Sequence, residues 1–344
     1  MRPLIYFPKE KDGSIYQTAR LRKNIKAAFE HLNVPYYEKN RGNIDIALFG
    51  SLRNKDINQI KKCKKRNIPT IFFALYQESD SFSELVKIKR TGQLYISKKD
   101  LDSLNEIDLI LVPSEEAKRY LKSFGVNAEI KTLFTPVNVE RFNSEHVLEK
   151  TIFNRYFRLK EDTKIIIGTT NTKNVEGVEM FSTLANRFQD YVFFYFIETN
   201  SFKDRFFVKK LANKNPSNLI VRSLVNDDVF RSGLMNANFY IETSNKKVGT
   251  LSLVDTFASE THLIACKNAI YNDVVDENVA SVYLTLENII NIIEKGESSY
   301  DKQRKNALKR AEKASISNFA NKLKEIIETL LNKRKQVGRW LILI

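Results

Sequence analysis

Short apolar runs, each followed by a longer amphipathic or charged stretch, recur along this chain and leave few folds open to it. The run Ile71-Phe72-Phe73-Ala74-Leu75 has none of the alternation of a half-exposed strand. It suits a strand covered on both faces. Between such runs, Leu21, Ile25, Ala28, Phe29 and Leu32 repeat at helical spacing. Strands alternating with helices argue for a parallel sheet with helices on both sides. The pattern predicts strands over 4–7, 34–37, 44–49, 70–75, 107–112 and 128–133, and helices over 16–32, 54–66 and 115–124. Residues 143–162 read as a charged connection, and at Lys164 the pattern starts again. Further strands are expected over 164–168, 191–197, 219–221, 238–242 and 263–266, with helices between them and mostly helix from Glu287 to Lys335. A length of 344 residues is enough for two cores. The expectation is therefore an α/β protein of two doubly wound Rossmann-like domains, 1–150 and 151–344. The second should carry C-terminal helices that pack back across the cleft. In such folds ligands bind beyond the carboxyl ends of the strands.

Charge constrains partners rather than fold. Lys and Arg number 56 against 41 Asp and Glu, a net charge of +15. That surplus favours a polyanion: nucleic acid, an anionic membrane or a phosphorylated substrate. A lysine-rich coding bias produces the same count. Two basic tracts stand out, Lys61–Arg66 and the first-helix residues Arg20, Arg22, Lys23 and Lys26. Each reads as a solvated helix face or as a membrane-facing one. Lys333–Lys335 followed by Arg339-Trp340-Leu341-Ile342-Leu343-Ile344 fits an interfacial anchor, a core strand or a terminal extension. Only Leu4–Phe7 is apolar near the start, and no run approaches the ~18 apolar residues of a membrane span. The chain is expected in the cytoplasm, with peripheral contact to the inner membrane face open to it. Two cysteines and three scattered histidines provide neither a disulfide framework nor a metal-ligand spacing. Asp100-Leu101-Asp102 has the look of a metal-binding D-x-D but lies in a segment that reads as a solvated helix start.

Several motifs carry more than fold. In Val112–Val126, Pro113 ends a strand, Ser114 is placed to cap a helix and Gly125 to end it. Thr135–Phe142 follows, and further on comes Asn238–Cys266. Together these resemble the retaining GT-B glycosyltransferases of family 4. That family shows a V-P-S helix start, then V-D-x-x-x-F, here Val137-Asn138 to Phe142, then an acidic E-x7-E segment running into E-A-M-A-x-G-x-P. Order and spacing match without gaps over about 238–266, and the weak resemblance covers most of the chain.

The resemblance implies a nucleotide-diphosphate sugar as donor, no metal or other cofactor, and a glycolipid or cell-surface glycan as acceptor. It puts Asp255 at the acid that holds the ribose hydroxyls, a task suited to a carboxylate that accepts several hydrogen bonds. Lys247 stands at the acid that contacts the sugar, a residue that accepts no hydrogen bond at all. Ser244 and the run Gly249, Thr250 and Leu251 would line the donor pocket, with backbone amides near Leu251 turned to phosphate. Gly13 would sit in the acceptor-side loop. The family neutralises the leaving diphosphate with an Arg and a Lys after the first strand of the second domain. Here that loop, Gly168–Phe181, has only Lys173 as a cation. Glu260 and His262 replace the family's small Gly and Pro, and Ala74-Leu75-Tyr76 stands where many members carry a His. Two other readings stay open. One is a non-catalytic GT-B-like module that binds a glycan or a partner protein. The other is a nucleic-acid-directed glycosyltransferase, which only the charge supports.

Overall fold

The computed structural model describes residues 3–9, 17–39, 42–76, 86–88, 94–142, 147–172, 175, 177–199, 201–213, 215–243, 251–267 and 272–342. The first part of the chain forms β1 (Ile5–Tyr6), α1 (Gln17–His31), β2 (Tyr36–Tyr37), β3 (Ile46–Phe49), α2 (Asn54–Lys65) and β4 (Thr70–Phe73). A small antiparallel hairpin, β5 (Val86–Ile88) and β6 (Leu94–Ile96), intervenes before α3 (Lys98–Asn105), β7 (Leu109–Val112), α4 (Glu115–Ser123) and β8 (Glu129–Thr132). The strands other than the hairpin make a 6-stranded parallel sheet in the order β2-β1-β3-β4-β7-β8.

The second part runs α5 (Val147–Phe157), β9 (Lys164–Asn171), α6 (Gly177–Arg187), β10 (Tyr191–Glu198), α7 (Phe202–Ala212), β11 (Leu219–Ser223), α8 (Asp227–Asn236) and β12 (Phe239–Glu242). It continues with α9 (Leu251–Ala258), β13 (His262–Cys266), β14 (Ser281–Tyr283), α10 (Leu286–Glu294), α11 (Asp301–Lys313) and α12 (Ile316–Ile342). A second 6-stranded parallel sheet has the order β11-β10-β9-β12-β13-β14, the dinucleotide-fold order with its reversal between β9 and β12.

Every residue of β3, β4, β7 and β12 is buried, which is why, apart from Thr70 and Glu242 at strand ends, their sequences run apolar without alternation. Successive side chains still go to opposite faces. Ile46, Leu48, Ile71 and Phe73 pack on the α1 side of the first sheet, while Ala47, Phe49, Phe72 and Ala74 pack with α2 residues Ile60 and Cys63 on the other. The α1-side core is continuous with one face of the second sheet, through Ile165, Ile167, Phe194 and Phe196. The two sheets therefore share a core. The Ser114 hydroxyl accepts from the Ala117 amide at 3.0 Å, and Gly125 at φ +87° ends α4.

Helix α12 straps the second part to the first. Phe319 stacks on Phe73 of β4 at 6.5 Å, Lys333 pairs with Glu129 at 3.0 Å, and Arg334 reaches Asp108. At the crossing point the Val137 amide donates to the Ala314 carbonyl at 3.0 Å. The sequence expectation does not include the β5–β6 hairpin, and two further elements depart from it. Residues 147–157, read as a charged connection, form α5, whose Phe153 is fully buried against Phe157 and Phe194. Strand β14 adds an edge that so short a segment does not announce.

Candidate active site

In both sheets the segments after the strands' carboxyl ends point toward the cleft between them. Helix α1 follows β1 and puts Arg20 in its first visible turn; α8 follows β11 and opens with Asp227 and Asp228, capped by Asn226. Helix α9 follows β12 and carries Asp255. These three helices meet. The Arg20 guanidinium is ion-paired with the Asp255 carboxylate, lies 3.4 Å from Asp227, and sits 5.5 Å above the Phe230 ring. Arg141, from the Thr135–Phe142 segment, closes the cluster at 2.7 Å from Asp227 and 3.0 Å from Asp228. Behind it Arg231 holds Glu149 at 2.5 Å and donates to the Arg141 carbonyl. The Asn24 amide donates to the Pro136 carbonyl at 2.8 Å, tying α1 to the same segment.

The electrostatics are those of a desolvated cluster. Arg20 and Asp255 are both nearly sequestered, with side-chain exposures of 11% and 6%. Burial pulls the Arg20 guanidinium below its ordinary pKa, against the pull of Asp227 and of Glu198 at the carboxyl end of β10. An arginine in such a place stays charged, so its carboxylate neighbours are a requirement of burial rather than an ornament. Arg20, Lys23, Asn138, Arg141, Asp227 and Asp255 border a cavity of about 10 Å³, room for one water and not for a nucleotide.

The carboxyl edge of the second sheet is polar and ordered nearby. Thr169 and Thr170 at the end of β9 are buried, and the Thr169 hydroxyl is 2.6 Å from that of Tyr240. Gly177 opens α6 beside β10 and β12. A Cβ there would collide with the Tyr195 hydroxyl and stand 2.7 Å from Thr243 Oγ1, so glycine is what lets this helix start approach the sheet. On the first sheet, Leu75 is fully buried just past β4 at φ +65°, a conformation that is strained for a residue with a Cβ. Tyr76, at the position where a histidine was noted as missing, is buried and donates its hydroxyl to the Leu133 carbonyl.

Of the residues singled out from sequence, Asp255 lies in the cleft and Leu251 is buried at the first turn of α9. Gly13, Lys173, Ser244, Lys247, Gly249 and Thr250 lie outside the described residues. Asn138, from the Val137-Asn138 match, borders the small cavity. Asp100 sits in the first turn of α3 beside its cap Ser97, as a helix start should. The first-helix cations need correction as an open basic face. Arg20 is in the cleft. Arg22 lies 4.1 Å over the Phe7 ring and 3.3 Å from Glu38, and Lys26 pairs with Glu38 at 2.5 Å. The hydrogen bond from Lys26 in particular holds the Glu38 carboxyl below its usual range. Sequence reasoning missed that Arg20 faces Asp255, because the two are far apart in the chain. Arg141 was within reach, since it lies inside the Thr135–Phe142 segment.

Comparison with solved structures decides the architecture. HepE from Anabaena, in complex with UDP and glucose, superposes with a TM-score of 0.70 over 95% of this chain and 100% of its own, at 11% identity. This chain has the GT-B glycosyltransferase fold. A glycosyltransferase from Rickettsia africae matches at TM-score 0.66 over 96% of this chain and 99% of its own, with 12% identity. Sucrose-phosphate synthase from Thermosynechococcus elongatus matches at 0.65 over 99% of both chains, with 11% identity. Among curated proteins, a processive diacylglycerol alpha-glucosyltransferase from Acholeplasma laidlawii is 20% identical over 275 residues, 79% of this chain and 81% of the relative. No protein-family model matches the chain. GT-B glycosyltransferases use nucleotide-sugar donors, and HepE has also been solved with UDP-glucose.

Proposed function

We propose that the protein transfers a sugar from a nucleotide-diphosphate donor to a glycolipid or cell-surface glycan, with retention of anomeric configuration. The division of labour follows the two sheets: residues 1–150 present the acceptor side and 151–344 the donor side. The observation that carries this reading is Asp255. It stands on α9 at the carboxyl edge of the second sheet, beside the β9–β12 strand-order reversal, where a doubly wound domain binds its nucleotide. Its carboxylate has one oxygen on Arg20 and a second able to accept from a ribose hydroxyl. Because the cavity beside it holds about one water, the donor enters by parting Arg20 from Asp255.

Lys173, Ser244, Lys247, Gly249, Thr250 and Leu251 complete the donor pocket in this reading. Lys173 would neutralise the leaving diphosphate, and Gly13 would belong to the acceptor-side loop. The diacylglycerol substrate of the Acholeplasma relative supports a lipid acceptor, and with it peripheral work at the cytoplasmic face of a membrane. Calorimetry with uridine, guanosine and adenosine diphosphates and their sugars, then product analysis with diacylglycerol, tests the proposal. Binding of one diphosphate and transfer from its sugar is the expected result; binding of none would refute it. A non-catalytic module is the second reading. Lys247 at the sugar-contacting acid and the Arg20–Asp255 closure favour it, and it predicts glycan binding without any diphosphate affinity.

A further inference from the structure

Helix α7 is apolar on two opposite sides. Val208 is buried and Leu211 packs against the second sheet's core, as a helix in a doubly wound layer requires. The outward side has no such reason to be aromatic, yet Phe202 is 83%, Phe206 68% and Phe207 38% exposed. Only two other large hydrophobic residues, Tyr156 and Leu284, are comparably exposed among the described residues. Phe202 and Phe206 are four apart and therefore adjacent on the surface, and Lys209 and Lys210 continue the same stripe. Lys203 and Arg205 flank it, and all four cations are exposed.

We propose that this face of α7 is the surface by which the protein docks on an anionic lipid bilayer. Exposed rings flanked by Lys and Arg match an interfacial helix: the rings enter the headgroup–acyl boundary while the long cationic side chains reach back to lipid phosphates. The charge of α7, four cations against the single acid Asp204, complements an anionic leaflet. A protein partner is less well matched, because interface cores are depleted in lysine. The location fits as well. Ser201, the N-cap of α7, comes shortly after Glu198, whose charge acts on Arg20 in the cleft. Four residues of chain reach at most roughly 14 Å, so Phe202 stands within that distance of Glu198 at the carboxyl end of β10. A bilayer seated here brings a lipid acceptor to the cleft mouth. In the first helix Arg20, Arg22 and Lys26 are each paired with a carboxylate and only Lys23 of those four cations is exposed, so it presents less free charge than α7.

The purpose of this surface rests on the lipid-acceptor reading, but docking is measured without donor or acceptor, so the two fail separately. The experiment is co-sedimentation of the full chain with vesicles of phosphatidylcholine alone and with added phosphatidylglycerol, alongside sedimentation velocity without vesicles. We expect binding to anionic vesicles that weakens with salt. Phe202→Ser/Phe206→Ser should bind at least about tenfold more weakly, since each ring forfeits its apolar burial. Lys209→Glu/Lys210→Glu should weaken binding to anionic vesicles while its melting temperature stays that of wild type. Wild-type affinity for anionic vesicles in both variants would overturn the proposal. So would failure of the wild type to sediment with either vesicle. A wild-type dimer that the Phe202→Ser/Phe206→Ser variant dissociates, with vesicle binding intact, would overturn it too, by assigning the face to contact between copies.

Discussion

Asp255→Leu should destabilise the protein far more than its apolar replacement suggests, because it leaves the Arg20 guanidinium in a water-poor cleft without its nearest counter-charge. Removing one partner of a buried pair costs about 3–5 kcal/mol in general. Asp227 remains 3.4 Å from Arg20 and still offsets part of its charge, so the expected loss falls below that range, about 2–3 kcal/mol. At roughly 2–4 °C per kcal/mol that is a fall in melting temperature of about 4–12 °C. Arg20→Met alone strands Asp255 and should cost a similar amount. The double variant Arg20→Met/Asp255→Leu puts apolar groups on both sides and should recover to within about 1 kcal/mol of wild type. The assay is urea unfolding of the four proteins as a double-mutant cycle. A coupling energy of about 2 kcal/mol or more supports the pair as the contact that holds α1 on α9. Strictly additive losses would show that Arg20 and Asp255 do not share their burial, and the description of the closed cleft would be wrong.

His262, buried between Phe239 and Tyr300, has its pKa pushed down to about 3 by burial and the nearby Arg304. The unfolded chain thus takes up the proton first as pH falls. Stability is complete above about pH 6.5 and declines toward pH 3, by about 2 kcal/mol at pH 5. His262→Phe should remove that slope between pH 7 and 5 in denaturant titrations; an unchanged slope would place the titration elsewhere. Glu260 sits at φ +56°, in the position that the resembling motif gives to glycine. Glu260→Gly should therefore raise stability by about 0.5–1 kcal/mol, relief of left-handed strain outweighing the added chain entropy, and a lower melting temperature would contradict this. Gly177→Ala should cost about 1–3 kcal/mol by forcing Tyr195 and Thr243 away from α6, seen as a lower urea midpoint.

What the sequence made legible follows from the range of the forces involved. The interiors of both sheets were readable because a strand covered on two faces has to be apolar at consecutive positions, as in Thr70–Phe73 and Phe239–Glu242. The start and end of α4 were readable because caps are local chemistry, Ser114 at one end and Gly125 at the other. Helix α5 escaped because Glu149, Lys150, Arg155 and Arg158 hide an apolar stripe that contains Ile152, Phe153 and Phe157. That stripe has meaning only against β10, through Phe194, and against α8, where Gly233 lets the Phe153 ring approach. The cleft was partly legible. Asp255 was found through a spacing shared with a family, while its partner Arg20 left no local mark. Charge was a mixed signal: Lys23 and the Lys61–Arg66 cations are exposed, whereas Arg20, Arg22 and Lys26 of α1 are engaged by Asp255, Glu38 and Phe7.

The central claim, a nucleotide-sugar donor held in the cleft by Asp255, is tested most directly by titrating UDP into the wild type and into Asp255→Asn. The amide keeps the shape of the side chain while removing its charge and one acceptor. The wild type should bind UDP, and Asp255→Asn should bind it about 10- to 100-fold more weakly, the loss of charged hydrogen bonds worth about 1.5–3 kcal/mol. Affinity for UDP that is the same in both proteins would contradict the claim.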